Sequence, residues 1–500
     1  MTKVISLSKH NKALLWDVGL LLLCLAIAAV TFLGFYPGRA EYDISEQAKQ
    51  MLGMKNLSDW HPPIVAILWR GLYAVTGKLG SLLAFQLGIY FLAVFLLALF
   101  AHRILKSKWA SLAMIAILVS PWAYSQLAVM WKDTIMAALL LFAAGCLALA
   151  TPKNKKTFWF IVPAVLLLIF ATVVRKNAAP AVVPMCIFIG WRLAPLFVPK
   201  LRNLIPKLRE GRVKQCVSAL ILGCVIVGLV GASAVSLDGA IAKKWNVKPT
   251  HQIYQVILDD VMFSVPENEL NKSTAPQELK DKINKARPKC YEMNEPYDAY
   301  WNCYGRGSSG SDYSPLGYRD ELKQLWLDHV ITHPKRYVEY RWSVYKFYLT
   351  TSRLIYFPNK VVKPAKEVGF RKGSTKFDKV AKFYVVDFGA DTIGFVFKPW
   401  FWLLAGAIVS IAAWWSGRSR AFALMLTSSA FLYVFAYFPV IPANHFRYTY
   451  WPALAVSVAF IAVVAGAVKA WKDRRERAGA LHAAQGDKLE PRVLESSSAR

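Results

Sequence analysis

The chain has 500 residues, of which 56% are hydrophobic and only 18% charged, with a formal net charge of +30 and a mean hydropathy of +0.33. A soluble chain normally carries about 25% charge, so a string of soluble domains, a disordered chain, a collagen and a disulfide-rich small scaffold are all excluded. What remains is a protein of many membrane spans. Its basic excess suits anionic lipid headgroups, lipid-linked phosphates and positive-inside loops, with no nucleic acid as partner.

Crossing ~30 Å of hydrocarbon takes about 20 apolar residues. Ten runs qualify: 14–35, 79–101, 109–126, 134–151, 157–174, 178–198, 216–236, 396–416, 421–441 and 451–470. The first is expected to be a span and not a cleaved signal peptide, being too long and lacking a small-residue cleavage site before Tyr36. With simple alternation, Lys3, Lys9 and Lys12, then Arg103, Lys106 and Lys108, then Lys153, Lys155 and Lys156, six basic residues in 199–215, and Arg418 and Arg420 all fall on one side. The opposite short loops are poorer in Lys and Arg, so both termini are expected in the cytoplasm of a bacterial inner membrane protein. The expected fold is an all-α polytopic membrane protein of about ten transmembrane helices, with outer-face juxtamembrane helices and one mainly α extracytoplasmic domain.

This divides the chain into a seven-span module (1–236) with a first outer loop at 36–78, an extracytoplasmic domain (237–395), three further spans (396–470) and a disordered cytoplasmic tail (471–500). Within 237–395, polar loops are expected at 264–316 and a helix over about 317–350, where Leu322, Leu325, Trp326, His329 and Val330 make one apolar stripe. The aromatic stretch Tyr337 to Tyr348 is interrupted by Arg341 and Lys346 and is expected to lie at the interface. Five of the seven cysteines sit in or beside spans and read as small apolar residues. Cys290 and Cys303, the pair in the outer domain, are expected to form a disulfide in an oxidising compartment.

The chemistry-bearing residues cluster at span ends. In the first loop, Pro37-Gly38 makes a turn directly after span one, and Glu41 and Asp43 follow near the membrane edge. A carboxylate held there can take a proton from a hydroxyl or bind a divalent cation. The competing reading makes Asp43-x-x-Glu46 a helix capping box. His61-Pro62-Pro63 precedes an amphipathic stretch, 64–76, that is expected to lie flat on the outer surface. His61 is either a pre-helix residue or an imidazole beside the carboxylates. Three short outer loops each carry cations against the usual bias: Lys132-Asp133, Arg175-Lys176 and His445-Phe446-Arg447-Tyr448. Taken singly they are explained by snorkelling to lipid phosphate. Taken together they suggest a cationic rim around an anion.

With Tyr-Pro-Gly-x4-Asp-x3-Gln at 36–47, His-Pro-Pro at 61–63, Lys-Asp at 132–133, Arg-Lys-Asn at 175–177 and Arg-Tyr at 447–448, the membrane part resembles bacterial members of the GT-C glycosyltransferase superfamily. That group includes the protein O-mannosyltransferases and the lipid A aminoarabinose transferase. The resemblance covers roughly two thirds of the chain and leaves 237–395 unmatched. It implies transfer of a sugar from a polyprenyl-phosphate donor on the outer face, with the first-loop acid Asp43, or Glu41, as catalytic base. His61, Lys132, Asp133, Arg175, Lys176, His445, Arg447 and Tyr448 are then candidate substrate-binding residues. The acceptor is an envelope glycan such as lipopolysaccharide, a lipid or a protein. A divalent cation, used by some members, is a candidate cofactor. A lipid-linked sugar transporter or flippase and an oligosaccharide polymerase or ligase are the competing readings, with a non-enzymatic envelope assembly factor beyond them. The mid-span segments are almost free of charge, which favours surface chemistry over passage.

Overall fold

The computed structural model describes all residues except 1, 151–156, 202–211, 294, 305–316, 352, 355, 357–360, 442 and 487–500. The expected basic loop at 153–156, most of that at 199–215 and the end of the tail therefore lie outside the described residues. The chain is 79% helical. Among the described residues only isolated bridges, and no strands, interrupt the helices.

Among the described residues, six helices are long and apolar enough to cross a membrane: Asn11–Phe35, Ser81–Ile104, Lys132–Leu149, Lys176–Leu196, Cys216–Lys244 and Tyr450–Gly479. They belong to α1 (Thr2–Phe35), α4 (Ser81–Leu99), α7 (Lys132–Leu149), α9 (Ala179–Leu201), α10 (Arg212–Lys244) and α21 (Tyr450–Gly486). Between them come α2 (Tyr42–Met51), α3 (Pro63–Thr76), α5 (Lys108–Ile117), α6 (Pro121–Tyr124), α8 (Phe158–Val174), the short α17 (Lys363–Glu367) and α18 (Thr375–Lys382), α19 (Pro399–Ala412) and α20 (Arg420–Phe435). The expected runs at 157–174, 396–416 and 421–441 thus appear as shorter helices.

The run 109–126 differs from a single helix. Helix α5 stops at Ile117, and a turn leads into the short α6 at Pro121. Proline has no N–H to continue the ladder and pushes the preceding Ser120 away from helical geometry. The segment still climbs along α1. Ser111 accepts a hydrogen bond from Trp16 Nε1 (3.1 Å), and Tyr124 Oη meets Thr31 Oγ1 (3.2 Å). Fifteen residues of α1 separate those two levels, or about 22 Å of helix.

Helix α7 is the axis of the bundle. It packs between α4 and α8, and 83% of its apolar window is buried, against 17% for α10. A helix apolar on all sides belongs in a core. Helix α9 lies against α10 where Gly190 faces Gly223. A Cβ on either would run into the opposite backbone, the small-residue contact typical of helices in lipid.

A second core sits outside the bundle. Helices α11 (Ile253–Ser264), α12 (Glu267–Lys272), α13 (Gln277–Glu292), α14 (Ala299–Asn302) and α15 (Arg319–Leu325) bury Leu258, Met262, Leu279, Ile283, Leu322 and Leu325. The expected polar loops at 264–316 are therefore partly helical. Cys290 and Cys303 are joined by a disulfide, as the sequence suggests. Helix α16 (Pro334–Thr350) carries the aromatic stretch, with Tyr340, Tyr345 and Tyr348 buried on one face and Trp342 exposed on the other. Arg341 pairs with Asp260 (2.7 Å), both side chains at most 2% exposed. Tyr345 and Tyr348 donate to the Val434 and Tyr448 carbonyls at 3.3 and 3.2 Å. A charge inside an aromatic helix marked an interface in the sequence; here a buried carboxylate neutralises it. The last helix runs on to Gly486, so the polar tail expected from 471 begins as helix.

Candidate active site

The site lies at the end of the bundle where the first loop meets the starts of α7, α9 and α21. Gly38 makes the turn after α1 at φ +113, and a Cβ there would strike Met130. The turn lays Arg39 beside Val129, with Arg39 N–H donating to the Ala128 carbonyl at 2.8 Å. Helix α2 then starts at Tyr42, and Asp43 falls inside its first turn. The carboxylate is not spent on capping: Arg447 Nη1 donates to Asp43 Oδ2 at 3.2 Å. The Asp43 side chain keeps 34% of its surface open.

Around this pair the other segments close in. Trp131 Nε1 donates to Glu41 Oε1 (2.7 Å), and Lys132 Nζ donates to the Trp60 carbonyl (3.2 Å). Arg447 stacks over Trp131 (4.8 Å to the centroid) and Tyr448 (5.1 Å) and donates to the Tyr448 hydroxyl (3.0 Å). His61 is buried beside Asp43. Pro63 opens α3, so His61 precedes that helix and also lies beside Asp43.

Electrostatics separates the two first-loop acids. Burial and the adjacent Asp43 charge push the Glu41 carboxyl up to about 7. Burial opposes ionisation of Asp43 too, but His61 in its protonated form at acid pH, Arg447 and Lys132 outweigh it and hold that carboxyl below its usual range. Burial pushes His61 down to about 3, and burial with the Arg447 and Arg353 charges does the same to His445. Both imidazoles are neutral at neutral pH.

Not every expected residue joins in the same way. Asp133 pairs with Arg175 Nε at 2.7 Å, the acid 1% exposed, so each neutralises the other beneath the site. Arg175 also stacks over Tyr448 (5.2 Å) and reaches the Tyr437 hydroxyl (3.4 Å). Lys176 turns away. Its side chain is 80% exposed and pairs with Asp238 at 3.1 Å. His445 stacks flat on Tyr448 with centroids 6.1 Å apart. Among the described residues, no three His, Cys, Asp or Glu side chains gather to hold a metal ion.

Sequence reasoning missed what the helical domain brings. Trp301 packs against Trp60 (5.6 Å), Tyr297 donates to Asn444 Oδ1 (2.9 Å), and Asp298 lies within electrostatic reach of Arg447. The sequence signal for Trp60 and Trp131 was their place beside His61 and Lys132. For Asp298 there was none, since it lies among many polar residues. Comparison with family models, curated proteins and solved structures finds no match for this chain.

Proposed function

We propose that the chain is a membrane glycosyltransferase of the GT-C kind that its loop motifs resemble, moving a sugar from a polyprenyl-phosphate donor to an envelope acceptor. The site end would face outward from a bacterial inner membrane, with both termini in the cytoplasm. The observation that carries this reading is the meeting of Asp43 with Arg447, Lys132 and His61. Three stretches distant in sequence, the first loop, the start of α7 and the loop before α21, supply one half-open carboxylate, a neutral imidazole and two cations.

In this reading the acceptor hydroxyl attacks the anomeric carbon while its proton passes to the Asp43 carboxylate. The bond from that carbon to the phosphate oxygen breaks with its electron pair, and the configuration inverts. Polyprenyl phosphate is a sufficient leaving group once its charge is held, so no general acid is needed. Arg447 and Lys132 would hold that growing charge. Arg447 is shared: as it turns to phosphate it releases Asp43, whose basicity then rises where a base is required. Glu41, whose carboxyl is pushed up to about 7, adds a second anion beside Asp43 only above that pH and then raises its basicity. The helical domain beside the first loop would keep water off the donor.

The test is a deletion strain complemented with the parent or with Asp43→Asn, its envelope glycans read by mass spectrometry. The reading expects one sugar to vanish on deletion, to return with the parent and to stay absent with the variant, both proteins being present in the membrane. An unchanged sugar inventory in the deletion strain, with expression confirmed in the parent, overturns it. A topology reporter fused after Glu292 that reads cytoplasmic overturns the orientation.

A further inference from the structure

At the end of the bundle away from the candidate site, three guanidiniums stand at one level without an acid. Arg192 lies one turn before the end of the span Lys176–Leu196, roughly 25 Å along the chain's helical path from Arg175. Its guanidinium lies over the rings of Phe188 (4.8 Å to the centroid) and Trp191 (5.1 Å). Its Nε is buried and makes no hydrogen bond. Two contacts set the antiparallel register of α9 against α20. Ser429 Oγ donates to the Ala181 carbonyl at 2.7 Å, and the Phe188 ring meets Phe422 at 6.3 Å. Phe188 is one turn from Arg192, and Phe422 is one turn from Arg418, so this register brings Arg192 level with Arg418. Arg420, in the first turn of α20, stacks on Trp414 (4.9 Å), donates to the Trp414 carbonyl (2.5 Å) and also keeps a buried Nε without a partner. Among the described residues no carboxylate pairs with any of the three.

The turn that carries two of these cations is fixed. Ser416 and Ser419 are fully buried, and Ser419 Oγ donates to the Ser416 carbonyl at 3.1 Å. Helix α21 packs onto them through Gly466, where a Cβ would strike the Ser419 hydroxyl and the Ser416 carbonyl. A basic side chain that only snorkels ends freely in water. Arg192 and Arg420 instead lie back on aromatic rings, which sets the direction of each guanidinium fork. Cations held this way repel one another unless an anion comes between them.

The indoles show from which side that anion arrives. Trp191, Trp414 and Trp415 are 36%, 62% and 61% exposed beside the three arginines, as aromatic side chains are at a membrane interface. A phosphate presented there belongs to a glycerolipid, with its acyl chains along the helices and two of its oxygens open to a guanidinium. A zwitterionic headgroup would find no acid here for its ammonium group, whereas an anionic one needs none. Independently of the reaction at the opposite end, we propose that Arg192, Arg418 and Arg420 form a binding site for the phosphodiester of an anionic membrane lipid, in the leaflet away from the candidate active site.

The test uses the purified full chain in mild detergent, with phosphatidylglycerol or phosphatidylcholine titrated in and bound lipid counted by native mass spectrometry. The parent should hold phosphatidylglycerol about 10-fold more tightly. Arg192→Gln and Arg418→Gln should each weaken that lipid about 10-fold, the value of one charge-assisted hydrogen bond, and leave phosphatidylcholine unchanged. Arg192→Lys should recover part of the loss, keeping the charge without the fork. If Arg192→Gln lowers the melting temperature, Arg418→Gln, in which an exposed side chain is changed, decides. Lys335→Gln removes a cation that is 91% exposed on the helical domain and should leave both lipids as in the parent. Equal retention of the two lipids by the parent, or phosphatidylglycerol binding unchanged in the Arg192 and Arg418 variants, overturns the site. So does an equal loss in Lys335→Gln, which would make the effect one of net charge. Glycerol 3-phosphate at millimolar concentration should not displace the lipid; displacement would mean a soluble phosphate ligand and overturns the lipid assignment.

Discussion

Arg447 and Asp43 stand 404 positions apart in the chain and meet Nη1 to Oδ2 at 3.2 Å. The loop before the last long helix thereby closes on the loop after the first. If Asp43 takes the acceptor proton and Arg447 takes the phosphate charge, the two substitutions separate kinetically. Asp43→Asn should lower kcat by roughly 10²–10⁴ with little effect on donor KM. Arg447→Ala should lower kcat and raise donor KM, and Arg447→Lys should recover only part, because it keeps the charge but loses the two-pronged grip. Initial rates with labelled donor in vesicles check this. An unaltered donor KM in Arg447→Ala would remove the phosphate from that side chain.

Glu41 sets the pH behaviour. Its carboxyl is pushed up to about 7, burial being the larger cause and the Asp43 charge the second. As pH rises through that value the free protein gains a second anion beside Asp43, which makes Asp43 a stronger base. We expect kcat/KM to climb with pH through about 7, an apparent value that belongs to the Glu41–Asp43 pair. Glu41→Gln should flatten this limb while leaving measurable transfer. A limb that persists unchanged in the variant would assign the titration elsewhere.

The parts of the site legible in the sequence are those where polarity breaks an apolar background. Asp43, Lys132, Arg175 and Arg447 each stand at the edge of an apolar run, where a charge is costly enough to be noticed. Adjacent residues could not be sorted this way. Arg175 enters the bundle and Lys176 leaves it, yet they share one peptide bond, and only the start of α9 decides which faces Asp133. Asp298 was invisible for the opposite reason: in a polar stretch a carboxylate is ordinary, and the turn that brings it within electrostatic reach of Arg447 is held by hydrogen bonds to Asp259. The break in 109–126 was written in Ser120-Pro121, but a hydropathy window averages over a proline and reads the segment as continuous.

The Asp133–Arg175 pair predicts stability rather than turnover. The acid is 1% exposed and the guanidinium 11%. Removing one member leaves the other as an uncompensated buried charge, which typically costs about 3–5 kcal/mol. Arg175→Gln should therefore lower the melting temperature in detergent clearly. Adding Asp133→Asn should restore part of it, so that the double variant loses less than the two single losses combined. Strict additivity would show that the two groups do not depend on each other. The maximal rate should follow the folded fraction in all three variants while donor KM stays near the parent value, because neither group is given a substrate contact in the proposed reaction.

The disulfide offers a last test, because it closes the loop by which the helical domain meets the first loop. Cys290 and Cys303 close a loop that contains Asp298 and Trp301. Cross-linking a loop of this size is worth about 3 kcal/mol by restricting the unfolded chain. Both sulfurs lie in the core that also holds Leu279, Ile283 and Tyr300. Cys290→Ser with Cys303→Ser should lower the unfolding temperature of the helical domain. Because the freed segment carries Trp301, which packs on Trp60 beside His61, kcat should fall while the donor KM, set by Arg447 and Lys132, stays near the parent value. Cys290 is 1% and Cys303 9% exposed. A mild reductant added to the parent should therefore act only as the domain opens, with inactivation quickening as temperature rises. A raised donor KM in the double variant would instead mean that the loop also supports the Arg447 and Lys132 side of the site.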